Sequence, residues 1–252
     1  MSPRQLDAFV LVILVAVSTI LTLTYAVSVL TTAVLLFGLP GIYLLLRSHK
    51  HVVRDMAGAL LLGLVFGCMV DYFGGLNAAW TYHGEWFVFP GPIVGHVRVD
   101  IMLWAYGWAL WIILFWEHFF DGAAPDRLSK RFLPMLTISL TGLAALLALP
   151  YSAAALTIPY AYLIWGVLSF VPLFLALWWY PRFSRRLMLA GTLLAVPNIV
   201  FEAVALKWGY WSFSGQYLLS GRSLPLEEIL FWTFGSSFIV LANFLLFVRA
   251  EE

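Results

Sequence analysis

Apolar segments of about 20 residues recur along the whole chain, separated by short polar turns. That length matches the hydrocarbon core of a bilayer, where a backbone must satisfy its own hydrogen bonds and therefore coils into helices. Eight such segments are read at about 6–24, 28–46, 57–76, 99–118, 131–149, 156–179, 186–206 and 225–248. The first two run together around Thr24-Tyr25-Ala26. The sequence thus predicts an all-α integral membrane protein with about eight transmembrane helices. Composition agrees: 63% of residues are hydrophobic and 11% charged, against about 25% charged in a soluble domain. If the N-terminus is cytoplasmic, all of the 14 Lys and Arg except Arg98, Lys207 and Arg222 fall on the cytoplasmic side, as positive-inside topology requires. A seven-span reading would misplace Arg4 and overlengthen the first span. The expectation is a multi-pass protein of the cell membrane with both termini cytoplasmic and no cleaved signal peptide.

A net charge of +1 gives no basis for nucleic-acid binding, and one cysteine, Cys68, excludes an internal disulfide or a cysteine-based metal cluster. Twelve Trp and 20 Phe exceed what two interfacial belts need, so some should line an interior. Two long outer loops, 77–98 and 207–224, are rich in Gly and aromatics and are expected to fold back as caps. They also match each other. Asp71 to Trp86 reads DYFGGLNAAWTYHGEW and Glu202 to Tyr217 reads EAVALKWGYWSFSGQY, so Trp80-Thr81-Tyr82 faces Trp211-Ser212-Phe213, and Gly84-Glu85-Trp86 faces Gly215-Gln216-Tyr217. After a gap, Asp100-Ile101-Met102-Leu103-Trp104 faces Glu228-Ile229-Leu230-Phe231-Trp232. The chain is therefore read as two parallel four-helix repeats, 1–125 and 126–252, related by a pseudo-twofold along the membrane normal, with a site between them.

Five acids, Asp71, Asp100, Glu202, Glu227 and Glu228, lie within or at the edges of spans, all toward one leaflet. A carboxylate in the bilayer costs roughly 2.5–3.5 kcal/mol at a helix centre, so each calls for an explanation. Glu227 and Glu228 follow Pro225 in the first turn of a helix, where the dipole favours acids and Arg222 could pair with one. Asp71 and Glu202 end helices, where the dipole disfavours them. No metal is expected: His83 and His96 lack ligand spacing, and His49 and His51 sit in a basic turn. No glycine-rich cofactor loop is present. Proton chemistry fits better, because buried neighbouring carboxyls resist ionising together and one then holds a proton to donate. Trp80, Trp104, Trp108, Trp211, Phe213, Phe231 and Trp232 accompany the acids. Their ring faces would stabilise a carbocation without attacking it.

The run Glu202, Trp208-Gly209-Tyr210-Trp211-Ser212-Phe213, Gly221 through Leu224 and Pro225-Leu226-Glu227-Glu228-Ile229-Leu230-Phe231 resembles the lycopene cyclase domain family, the small membrane type of carotenoid cyclase. The match covers about 195–248; the first half matches through the repeat. The resemblance implies a redox-neutral cyclisation of a linear carotenoid end group to a β-ionone ring, with no cofactor. Glu227 and Glu228 match the family's acid pair, Phe231 its aromatic, and Glu202 the acid ending the preceding span. Where Pro-x-Glu-Glu would stand, the first half has Arg98-Val99-Asp100, so Asp100 reads as a remnant. The expected donor is the Glu227/Glu228 pair, with Glu202 and Asp71 as partners or the deprotonating base. Expected partners are a linear carotenoid or other isoprenoid, the lipid bilayer, and a second copy or carotenoid-pathway enzymes. A related prenyl-chain or meroterpenoid cyclase, a carotenoid hydratase, a proton-coupled carrier and a carotenoid-binding subunit remain the alternative readings.

Overall fold

The computed structural model describes residues 1–47, 51–89, 91–95, 97–121, 127–148, 158, 160–213 and 224–250. His49, Lys50, His96 and Arg222, and with them the 215–217 half of the loop repeat and the bulk of the second expected cap, lie outside the described residues.

Helix α1 (Pro3–Thr24) opens on a capping box, with Gln5 N donating to Ser2 Oγ and Ser2 N to Gln5 Oε1. The apolar run through Thr24-Tyr25-Ala26 breaks at Tyr25, which is extended, and Ser28 caps α2 (Val29–Arg47) by accepting from Thr31 N. Then come α3 (Val52–Leu76), α4 (Val99–Phe119), α5 (Phe132–Ala148), α6 (Ala161–Trp179) and α7 (Pro181–Trp208). The last, α8, joins Glu228–Phe234 to Ser236–Val248 across a 51° bend. Among the described residues six helices are long and apolar enough to cross a membrane, and α8 makes seven if its two halves are one span; α5 is apolar but has 17 residues. The chain is accordingly an all-α, multi-pass membrane type.

Two differences from the sequence expectation matter. The segment 225–248, read as one span, is bent. Residues Glu228–Phe234 wind as a π-helix, and the turn closes at Gly235, where a Cβ would sit 2.5 Å from Leu230 O and from the Phe170 ring. The outer loops also pair as strands, β1 (Trp80–Tyr82) and β2 (Trp211–Phe213), antiparallel to each other.

Helix α4 is the axle of the bundle, packed against α2, α3 and the second half of α8. Its closest neighbour is α3 at Gly63, where an added Cβ would lie 2.4 Å from Ala105 O. Away from the sheet, the helix ends are joined by ion pairs. Asp7 accepts from Tyr43 Oη (2.6 Å), Arg47 Nε (2.9 Å) and His118 Nε2 (2.9 Å), tying α1 to α2 and α4. Arg54, expected in a cytoplasmic turn, is buried because α3 begins at Val52; it pairs with Asp55 (3.1 Å) and Glu117 (2.7 Å). Arg249 forks onto Asp121. The sequence reading of five intramembrane acids thus missed Asp7 and Glu117, both inside predicted spans.

Close packing at Gly63 sets a test. Gly63→Ala should lower stability by about 1–3 kcal/mol through overpacking, whereas Gly107→Ala, with nothing within 4 Å of its Cβ position, should be near neutral. Thermal unfolding in detergent reads both; equal effects would contradict the helix contact.

Candidate active site

Between α3, α4, α5, α6, α7 and α8 lies a cavity of about 550 Å³, its sheet end closed by β1 and β2. Along α8 its wall runs from Glu228 to Asn243, about 22 Å of helix if straight. Apolar and aromatic side chains dominate it. On α5 and α6 the lining reaches the outside of the bundle, for Ile138 is 67% and Leu168 58% exposed. The cavity therefore borders the lipid-facing surface there.

Three acids meet at the sheet end. Asp71, near the end of α3, is 3% exposed and accepts from Trp80 Nε1 (3.3 Å) and from the Tyr82 hydroxyl on Oδ1. Glu202, near the end of α7, accepts from Trp211 Nε1 (3.1 Å). Glu228, in the first turn of α8, accepts from the Tyr162 hydroxyl of α6. Glu202 is close enough for its charge to act on Glu228, and Tyr162 feels both. Tyr82, bonded to Asp71, also feels Glu228. Burial, reinforced by the Asp71 charge, pushes the Tyr82 phenol well above its usual value, so Tyr82 stays a neutral donor. Among the described residues no Lys or Arg forms an ion pair with these three acids. Arg98 acts on Asp71 from a distance, its guanidinium 4.4 Å from the Phe87 ring centroid.

The strands explain how the acids converge. Trp80 pairs with Phe213, Thr81 with Ser212 and Tyr82 with Trp211. With the loops aligned as in the sequence, this register maps onto itself by exchange of the two halves. Each strand's tryptophan donates to the acid nine residues earlier, Trp80 to Asp71 and Trp211 to Glu202. Trp80 sits in the space left by Gly74, where a Cβ would be 2.0 Å from the ring. The symmetry fails at Phe213, which has no hydroxyl to match Tyr82.

Of the expected site residues, Asp71, Glu202, Glu228, Trp80, Trp104, Trp108, Trp211, Phe213 and Trp232 line the cavity. Three do not. Asp100 is fully buried and accepts the backbone N–H groups of Val88 (2.8 Å) and Phe89 (3.1 Å), so it holds the first loop in place. Glu227 is buried but off the cavity, because adjacent helical residues point about 100° apart. Phe231 packs into the space beside Gly166 and edge-on to Phe170, 5.5 Å between centroids. The sequence reading missed Tyr82 and Tyr162. Tyr82 had a signal, as the hydroxyl lacking in its counterpart Phe213; Tyr162 comes from a distant helix and had none. Among the described residues no three of His, Cys, Asp and Glu are grouped as metal ligands.

No protein-family model matches the chain, and comparisons with curated proteins and with solved structures found no match.

Acids buried without cations weaken a fold. Replacing Glu228 and its donor together, as Tyr162→Phe/Glu228→Leu, should therefore raise stability by about 1–3 kcal/mol. Glu228→Leu alone, which strands the Tyr162 hydroxyl, should gain less. Thermal unfolding in detergent checks this; a double variant less stable than the parent would contradict it.

Proposed function

We propose that the protein is a membrane enzyme that cyclises the end of a linear carotenoid or related isoprenoid by protonating its terminal double bond. The observation carrying this reading is the trio of carboxyls, none in an ion pair with Lys or Arg among the described residues, at one end of an aromatic, lipid-bordering cavity. A cavity reaching the bundle's lipid face at Ile138 and Leu168 suits a substrate dissolved in the bilayer.

In this scheme Glu228 donates its proton to an alkene carbon, and Tyr162 steadies the carboxylate that forms. Glu202, its electrostatic neighbour, disfavours two charges together and so keeps a proton on the pair. The tertiary cation lies among the faces of Trp80, Trp104, Trp211 and Trp232. The next double bond's electrons close the six-membered ring, moving the cation onto a ring carbon. Asp71 Oδ2, which has no partner among the described residues, removes a proton from the adjacent carbon, and that C–H pair becomes the new double bond. One proton enters and one leaves, so the step is an isomerisation without oxidant or reductant. Asp71 passes its proton on, and the Glu202/Glu228 pair is recharged.

The full arrangement in the membrane belongs to the same proposal. Helices α1 to α8 each cross it, both termini are cytoplasmic, and 1–125 and 126–252 are parallel repeats. The self-matching register of β1 and β2 supports the repeat, and the family resemblance supports the carotenoid end group.

A second reading, a proton-coupled carrier, draws on the Pro197 within α7 and the bend at Gly235, since carriers use broken helices around a site. Pigment analysis of a lycopene-accumulating host separates the two: the enzyme yields a cyclic product, the carrier none. Glu228→Gln should cut ring formation by about 10²–10⁴-fold at equal protein level, while Glu227→Gln, off the cavity, should retain most of it. Ring formation surviving in Glu228→Gln would overturn the assignment of the acid.

A further inference from the structure

The cavity wall carries hydrogen-bond donors that have no acceptor among the described residues. Trp104 and Trp232 both line it, and neither indole Nε1 has a partner among the described residues; the Thr233 hydroxyl is likewise unpartnered. The other three tryptophans named in the site behave differently. Trp80 donates to Asp71, Trp211 to Glu202, and Trp108 to Asn198 Oδ1 at 2.8 Å. An indole N–H is a donor only, and buried donors are as a rule satisfied. Two left open in one cavity point to an acceptor that the ligand brings.

Their placement sharpens the point. In the alignment of the two halves Trp104 and Trp232 are equivalent, four residues after Asp100 and Glu228. The acids at those positions have diverged in role, yet both tryptophans line the cavity and both leave the N–H open. Trp232 stacks on Tyr162 (5.9 Å, 2° between planes), the residue that holds Glu228. Trp104 stacks on Phe201 (5.2 Å, 4°), the neighbour of Glu202 in sequence. Both donors thus belong to the acid end, and Asp71, whose Oδ2 has no partner among the described residues, lines the same cavity.

We infer that the ligand carries an oxygen at the end that reaches the acids: the site takes an isoprenoid bearing a hydroxyl or carbonyl oxygen near the reacting alkene, with Trp104 and Trp232 donating to that oxygen. This rests on the acid-initiated reading for which end of the ligand reacts. A bare hydrocarbon leaves both indoles unpaired, and a site built to hydrogen-bond a polar group discriminates strongly against the analogue lacking it. A bound water offers the same acceptor chemistry, so the test must separate the two.

The full-length protein in lipid nanodiscs is titrated with lycopene, end-hydroxylated lycopene and end-ketonised lycopene, and pigment retention is corrected with empty nanodiscs. The oxygenated pigments should bind at least about tenfold more tightly than the hydrocarbon. Trp104→Phe and Trp232→Phe, which keep a ring and lose the N–H, should each shrink that preference. Thermal unfolding identifies the variants that fold; should neither do so, the wild-type comparison of pigments decides alone. Equal affinity for all three pigments assigns the donors to water and overturns the inference, as does a preference undiminished in Trp104→Phe/Trp232→Phe. Ring closure is scored separately. Preference for oxygen without any cyclic product would sink the cyclase reading and leave this one standing; Glu228→Gln should lose product and keep the preference.

Discussion

Three buried carboxyls held by neutral donors set the character of this protein. The two ends of the bundle make the contrast. Away from the sheet, Asp7, Glu117 and Asp121 each face an arginine, and the pairs fasten α1, α2, α3, α4 and α8 to one another. Under the sheet, Asp71, Glu202 and Glu228 receive, among the described residues, indole N–H and phenol O–H groups. A cation would fix a carboxyl in its charged form. A neutral donor orients it and leaves the proton free to move. The same residue type therefore fastens helices at one end and can perform acid chemistry at the other.

Much of the fold follows from placing those donors. The antiparallel pairing of β1 with β2 sets Trp80 and Trp211 over the acids nine residues before them. The π-helical turns of α8 and its break at Gly235 put Glu228 and Trp232 on one wall with Ser236 and Asn243 farther along. A straight α-helix from Pro225 would distribute those side chains differently, since a π-helix widens the turn. The approximate twofold does not give two equal sites. Asp100, the counterpart of Glu228, is spent on the backbone of Val88 and Phe89, so in the proposed reaction the proton donor comes from the C-terminal half and Asp71 of the N-terminal half serves as the base.

The helices were legible because the bilayer imposes one length and one backbone solution. Their ends were less so. Ser28 marks where α2 starts, but nothing in the apolar run announces that α3 begins early enough to bury Arg54, or that 225–248 bends. The site was legible through its acids and through the loop repeat, which placed Asp71 and Glu202 in matching positions. Tyr162 was not, because its partner Glu228 lies 66 residues away and no local pattern joins them. In sequence Glu227 looked equal to Glu228, and Asp100 read as a remnant of that pair. Only geometry separates a carboxyl facing a cavity from one satisfied by loop backbone or turned a third of a helical turn aside.

In the proposed reaction a carboxylic proton enters the substrate and another leaves it, with no change in oxidation state. Turnover of a linear isoprenoid in deuterated water tests this most directly, by mass spectrometry of the product. A single solvent deuterium per ring closed, without gain of oxygen or hydride and dependent on Glu228, is the expected result. A cyclic product without solvent deuterium, or one formed equally by Glu228→Gln, would contradict it.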